Sequence, residues 1–250
     1  MTHATIDSAR WIRRFCAAPE SPVQLACLPH AGGSATYFLP VAQALSPAID
    51  VLSVQYPGRQ DRRAEPGVDN LQELAAQIYE PLRAWAERPL ALFGHSMGAT
   101  LAFEVARLME ADGVPPAHLF LSGRRAPTRT REERVHLLDD AGLVAELRRL
   151  DGTQSEVLED EELLRMVLDA VRTDYRAVET YVHRPGPPLE SPMTVLVGDA
   201  DPTTTLEEAQ AWRDFTRGAF DLRVFTGGHF FLTAHQTEIL RLITARLSTA

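Results

Sequence analysis

Short β-rich apolar runs alternate along this chain with longer stretches of helical periodicity, and that alternation leaves few architectures open. The runs cover residues 23–28, 51–54, 90–93, 118–122, 193–197 and 222–225. Their Val, Ile, Leu and Phe content suits strands buried on both faces, as in a mostly parallel sheet covered by helices. Between them Leu71, Leu74, Ala75, Ile78, Leu82 and Trp85 recur at helical spacing, with a kink or break expected at Pro81. Leu101, Ala102, Val105 and Leu108 form the face of another helix, which Gly113 helps to stop. Residues 231–247 read as a closing helix.

One stretch departs from the alternation. From about residue 132 to 184 no convincing strand occurs, and the pattern gives two or three helices. Leu143, Val144, Leu147 and Leu150 line the first; Leu163, Leu164, Val167, Leu168 and Val171 line a later one. A helical insertion between consecutive strands is a lid candidate, within a single domain spanning 1–250. These leucines could border an acyl channel, although ordinary packing is the leading reading of such a face.

The strongest local signal is Gly94-His95-Ser96-Met97-Gly98, directly after the 90–93 strand and directly before a helix. A tight turn in that setting exposes a serine hydroxyl above the sheet edge, while the glycines admit the neighbouring strand and helix. The helix that follows points unpaired N–H groups toward the same place. Ser96 is therefore the candidate nucleophile.

A serine hydroxyl needs a base. In a hydrolase built on this strand–turn–helix elbow, the partners follow in the order serine, acid, histidine. His183 falls in the insertion and His235 inside the closing helix, whereas His229 follows Gly227-Gly228 just after the last strand. His229 is the candidate base. The loop after 193–197 offers Asp199 and Asp201. Asp199 could simply satisfy turn amides; Asp201 is preferred because Pro202 biases it toward an extended conformation that aims the carboxylate. The oxyanion requires two backbone donors, expected from Met97, after the nucleophile, and from Ala31 in Pro29-His30-Ala31-Gly32-Gly33.

Four motifs together then carry a family likeness: Leu28-Pro29-His30-Ala31-Gly32-Gly33, Gln55-Tyr56-Pro57-Gly58-Arg59, Phe93-Gly94-His95-Ser96-Met97-Gly98-Ala99 and Gly227-Gly228-His229-Phe230-Phe231. The chain resembles the type II thioesterases, α/β-hydrolases associated with polyketide and non-ribosomal peptide synthases. The resemblance runs from about His30 to the last helix. Its most discriminating element is Tyr-Pro-Gly-Arg, which in isolation would read as a turn with a solvated arginine. It implies a Ser96–Asp201–His229 triad, an oxyanion hole from Met97 and Ala31, and a helical lid. The implied substrates are acyl groups tethered through phosphopantetheine to acyl or peptidyl carrier proteins. The implied role is housekeeping, the removal of stalled acyl units. No metal or cofactor is implied, since the phosphopantetheine belongs to the substrate. At Gly152-Thr153-Gln154 relatives often carry Gly-Thr-Pro, which bears on lid shape and acyl preference.

Composition closes off other classes. A net charge of -9 disfavours nucleic acid, whose phosphates need a basic surface. No apolar run approaches the roughly 20 residues needed to cross a bilayer, and the arginines at 10, 13 and 14 break any signal-peptide core. Cys16 and Cys27 have no disulfide or zinc spacing, in keeping with a cytoplasmic protein. Arg124, Arg125, Arg129 and Arg131 could receive an acidic carrier protein, although a solvated loop is the plainer reading. The rivals are an oxygen-ester esterase or lipase, a cyclising release domain, and a catalytically silent acyl- or carrier-binding protein. The start of the chain close to its first strand, with no carrier domain, favours a free-standing hydrolase over a release domain.

Overall fold

The computed structural model describes residues 8–150 and 161–248, with backbone only at 161–163, 165 and 166. Among these residues a sheet of seven strands forms: β1 (Ile12–Arg13), β2 (Gln24–Leu28), β3 (Asp50–Val54), β4 (Leu90–His95), β5 (Leu119–Ser122), β6 (Met193–Gly198) and β7 (Phe220–Phe225). The spatial order is β1-β3-β2-β4-β5-β6-β7; β1 pairs antiparallel with β3 and every other pairing is parallel. Six of these strands fall on the apolar runs of the sequence. β1 is not among those runs: two residues between Trp11 and Arg14 carry no period-two signal, and the strand exists by pairing Ile12 with Val54 at the sheet edge.

Successive side chains of a strand point to opposite faces, and both faces are covered over β2 to β6. The edge strand β7 departs from the expected burial, with Arg223 and Val224 exposed. Ala26, Leu28, Leu52, Val54, Leu92, Leu119, Leu121, Val195 and Val197 join one apolar cluster, with the helices Leu71–Leu82 and Met97–Ala111 against it. Leu25, Cys27, Val51, Ala91, Phe93, Phe120 and Leu196 join the other, beneath Leu39–Leu45 and Gln236–Leu247. This division accounts for strands that read as continuous apolar runs.

Two expectations about helices need correction. The helix carrying Pro81 runs through it to Leu82 and only then tightens into the 3-10 turn Arg83–Trp85. Pro81 is the penultimate residue, so the missing N–H and the ring weaken only its last turn. The closing helix is divided into Phe231–Ala234 and Gln236–Leu247. At the break the His235 ring lies 2.9 Å from the Thr226 carbonyl oxygen, while its backbone N–H still donates to the Phe231 carbonyl at 3.1 Å. Met97–Ala111 does stop at a glycine: Gly113 (φ 76) donates to the Glu110 carbonyl, and Val114 to that of Met109.

Between β5 and β6 lie a 3-10 turn (Val135–Leu137) and the helices Asp140–Leu150 and Glu161–Glu179. Leu143, Val144, Leu147, Leu168 and Val171 form their own apolar cluster, so most of the leucine face is ordinary packing. Gly152-Thr153-Gln154 and the Leu163 side chain lie outside the described residues. Among the described residues no helix is long and apolar enough to cross a membrane.

The topology fixes where a site can form. From β2 the sheet extends through β3 in one direction and through β4 in the other. The crevice at the carboxyl ends of β2 and β4 is thus a topological switch point, where ligands of open α/β sheets bind. Leu28 pairs with Gly94 across that crevice, so the loop beginning at Pro29 and the Ser96 turn emerge side by side. At the next ends, Gly198 pairs with Phe225, bringing the Asp199–Thr203 and Thr226–His229 segments together.

Candidate active site

Ser96 sits at φ 56 and ψ -117, a conformation that non-glycine residues rarely adopt. Its N–H donates to the Ser122 carbonyl of β5 at 2.8 Å, holding the turn against the sheet. The turn is possible because the residues around it lack side chains. A Cβ on Gly94 would stand 2.0 Å from the Gly98 carbonyl oxygen, and one on Gly98 would stand 2.0 Å from that of Leu28. The next residue, Met97, opens the helix Met97–Ala111, where N–H groups have no intrahelical acceptor.

The acid and the imidazole meet as their strands direct. His229 Nδ1 lies 2.8 Å from Asp201 Oδ2, with the Asp201 side chain fully buried and that of His229 4% exposed. A proton on Nδ1 donates to the carboxylate and leaves Nε2 as the basic nitrogen. The other carboxylate oxygen accepts from the Thr203 N–H and hydroxyl, each at 2.8 Å, and Thr203 Oγ1 is also 3.0 Å from His229 Nδ1. Burial opposes ionisation of Asp201, but the bonds from His229 and Thr203 outweigh it and hold the carboxyl below its ordinary range.

The alternatives weighed from sequence lie elsewhere. Asp199 is exposed and accepts the Gly227 N–H at 2.9 Å, the turn role open to it from the start. His183 packs against Phe103 and Phe215. His235 bonds to Thr226 at the helix break rather than inside a helix.

Ser96, His229, Met97 and Ala31 all line one cavity of about 220 Å³, shared with Leu147, Leu150 and Tyr175 of the helices above. Ala31 N–H has no acceptor among the described residues. Its loop is held by the segment after β3: Tyr56 Oη donates to the Pro29 carbonyl at 3.0 Å, and Ala35 N–H donates to Gln55 Oε1 at 2.7 Å. Arg59 Nε donates to the Gly33 carbonyl at 2.9 Å. Arg59 is buried, not the solvated residue a lone Pro-Gly turn would suggest. Around the nucleophile the rings of His30, His95 and Phe230 pack edge to face.

The arginines after β5 do not form one surface patch. Arg125 pairs with Glu133, Arg131 pairs with Glu208, and Arg124 faces the cavity. Two residues of the site had no signature in the sequence. Thr203 could have been found only as an Asx-type turn two residues after Asp201. Asp174 lies on the Glu161–Glu179 helix, where an aspartate reads as solvent-facing; it is 2% exposed and accepts the Gly32 N–H.

A parallel sheet with an antiparallel edge, a strained serine between β4 and its helix, and a buried Asp–His pair after β6 and β7 define the α/β-hydrolase fold. The family model for the thioesterase domain matches residues 23–247. The chain is 55% identical over 247 residues to the "Probable cadicidin biosynthesis thioesterase" of Streptomyces griseus, covering 97% of this chain and 68% of that protein. It is 51% identical over 244 residues to thioesterase PikA5 of Streptomyces venezuelae, covering 97% and 87%. The solved structure of BorB, a type II thioesterase from the borrelidin biosynthetic cluster, superposes with a TM-score of 0.90 at 56% identity, covering 95% and 97%. The chain belongs to the thioesterase domain family and is a hydrolase of thioesters.

Proposed function

We propose that this protein is a type II thioesterase that cleaves acyl groups from the phosphopantetheine thiol of acyl or peptidyl carrier proteins. Its place would be in the cytoplasm, restoring a polyketide or non-ribosomal peptide synthase that carries a stalled acyl unit. The observation that carries the reading is the Asp201–His229 pair at 2.8 Å, whose imidazole lines the same cavity as Ser96 and Ala31. The likeness to thioesterases of antibiotic-type clusters supports the choice of carrier-bound substrate.

In this reading His229 Nε2 takes the Ser96 proton as Oγ attacks the thioester carbonyl. The carbonyl oxygen becomes an oxyanion received by the Ala31 and Met97 N–H groups. Collapse breaks the C–S bond, and His229 returns the proton to the departing pantetheine sulfur. Water, deprotonated by the same imidazole, then attacks the acyl-serine, releasing the acid and regenerating Ser96. Asp201 fixes the tautomer and stabilises the transient imidazolium. These residues supply nucleophile, base and oxyanion donors, so the reaction is written without metal or cofactor.

The test is hydrolysis of a panel of acyl-carrier proteins by wild type and Ser96→Ala, beside aryl and glycerol esters. Carrier-bound thioesters should be cleaved in preference, with activity lost in Ser96→Ala. Preference for oxygen esters would favour a lipase or esterase. An inert wild type that gains no adduct from a fluorophosphonate would favour a silent binding protein.

A further inference from the structure

The most heavily constrained segment around the site is the loop carrying Ala31, and part of what constrains it comes from the lid. Asp174 Oδ2, buried on the Glu161–Glu179 helix, accepts the Gly32 N–H at 2.7 Å and also accepts from Arg59 Nη2. Arg59 in turn donates Nη1 to the Pro57 carbonyl at 2.6 Å and Nε to that of Gly33 at 2.9 Å. One ion pair therefore joins the lid helix, the Tyr-Pro-Gly-Arg segment and the loop after β2. The seat is close: a Cβ on Gly32 (φ 76) would stand 2.5 Å from Val171 Cγ2, one turn before Asp174 on the same helix.

These contacts bracket Ala31. On its N-terminal side the Pro29 carbonyl is held by Tyr56, and the His30 carbonyl accepts the Gly33 N–H at 2.9 Å. On its C-terminal side the Gly32 N–H shares a peptide plane with the Ala31 carbonyl. Fixing that N–H fixes the plane adjoining the one that carries the Ala31 N–H, and the two anchors together set the backbone at Ala31. Of the anchors described, the one on Gly32 N–H is supplied by a residue 142 positions away in sequence. Lifting Asp174 would free this plane and leave Arg59 buried without its counter-charge.

We propose that Asp174 and Arg59 are a positioning pair for the oxyanion loop, so that seating of the lid helix and alignment of the Ala31 N–H are a single event. The inference rests on the proposed catalytic reading and names a determinant of it outside the triad. Neither residue touches the reacting atoms. Their effect is on the transition state, where the oxyanion exists, and little on binding of the thioester ground state.

The test compares two ligands: a trifluoromethyl ketone analogue of the acyl-pantetheine, which adds Ser96 and forms an oxyanion, and a thioether analogue, which does not. Their affinities are measured by calorimetry on wild type, Asp174→Asn, and the charge-balanced double variant Arg59→Gln/Asp174→Asn. The ratio of the two affinities does not depend on the fraction folded, so a destabilised variant still reports. We expect the ketone's advantage to fall by about 10- to 100-fold, with kcat falling in step and KM within about threefold, the scale of a small misplacement of a catalytic group. A ratio within about twofold of wild type in both variants, beside an active wild type, overturns this inference alone. A wild type for which the ketone has no advantage over the thioether overturns the catalytic reading with it.

Discussion

Asp199 and Asp201 stand two positions apart on one loop, yet the structure gives them opposite surroundings. Asp201 is buried against His229 and Thr203; Asp199 is exposed and closes a turn. If the carboxylate orients the imidazole, Asp201→Asn should lower kcat by about 1,000- to 10,000-fold, because an amide there favours the wrong tautomer. Asp199→Asn should cost less than about tenfold, since an exposed turn bond contributes little. Steady-state rates on one acyl-carrier substrate decide the matter, and the reverse ranking would move the role to Asp199. At this scale the sequence was informative wherever chain order constrains chemistry. Ser96, Asp201 and His229 follow from the elbow and the order of the strands. Thr203 does not, because a hydroxyl that bonds a neighbouring carboxylate leaves no pattern beyond its proximity.

Among elements, the strands were the most legible and the edges least. Continuous apolar runs marked the six inner and terminal strands, whereas β1 is fixed by pairing with β3 rather than by its own composition. The break at His235 and the passage of the helix through Pro81 are local features that periodicity averages away. The contact between the Glu161–Glu179 helix and the loop after β2 was the least legible, since Val171 and Asp174 meet residues more than 100 positions earlier. It has its own prediction. Gly32→Ala adds a methyl where Val171 Cγ2 already lies and imposes a left-handed φ on alanine, which alone costs about 1–2 kcal/mol. The variant should melt at lower temperature and lose kcat. Adding Val171→Ala removes the clash but not the backbone strain, so it should recover part of both. No recovery of kcat in the double variant, with melting restored, would mean that the Val171 contact does not govern the loop.

For the whole molecule, burial leaves several histidines neutral, His30 and His95 at the switch point and His118 at the opposite, amino-terminal end of β5. Burial lowers His30 to about 3, reinforced by His229 and Arg59, and lowers His118 to about 4; His95 also lies well below its ordinary 6.5, chiefly through burial. In the unfolded chain each would take up a proton as pH falls through about 6.5, while the folded protein would not. The unfolded state then binds more protons, and stability falls on acidification. Urea unfolding should show full stability above about pH 7 and a loss of several kcal/mol by about pH 5, before the carboxylates contribute. A stability profile flat across that interval would mean that these rings are not held neutral in the fold.

The central claim is that the hydroxyl at the turn after β4, activated by the imidazole after β7, takes the acyl group from the carrier thiol. Rapid-quench mass spectrometry of enzyme mixed with an acyl-carrier protein, followed by peptide mapping, examines it directly. The expected result is a transient acyl mass on the peptide containing Ser96 in the wild type, formed far more slowly in His229→Ala, which lacks the base for that step, and absent from Ser96→Ala. Hydrolysis at the wild-type rate by Ser96→Ala, or an acyl mass on another residue, would contradict the account.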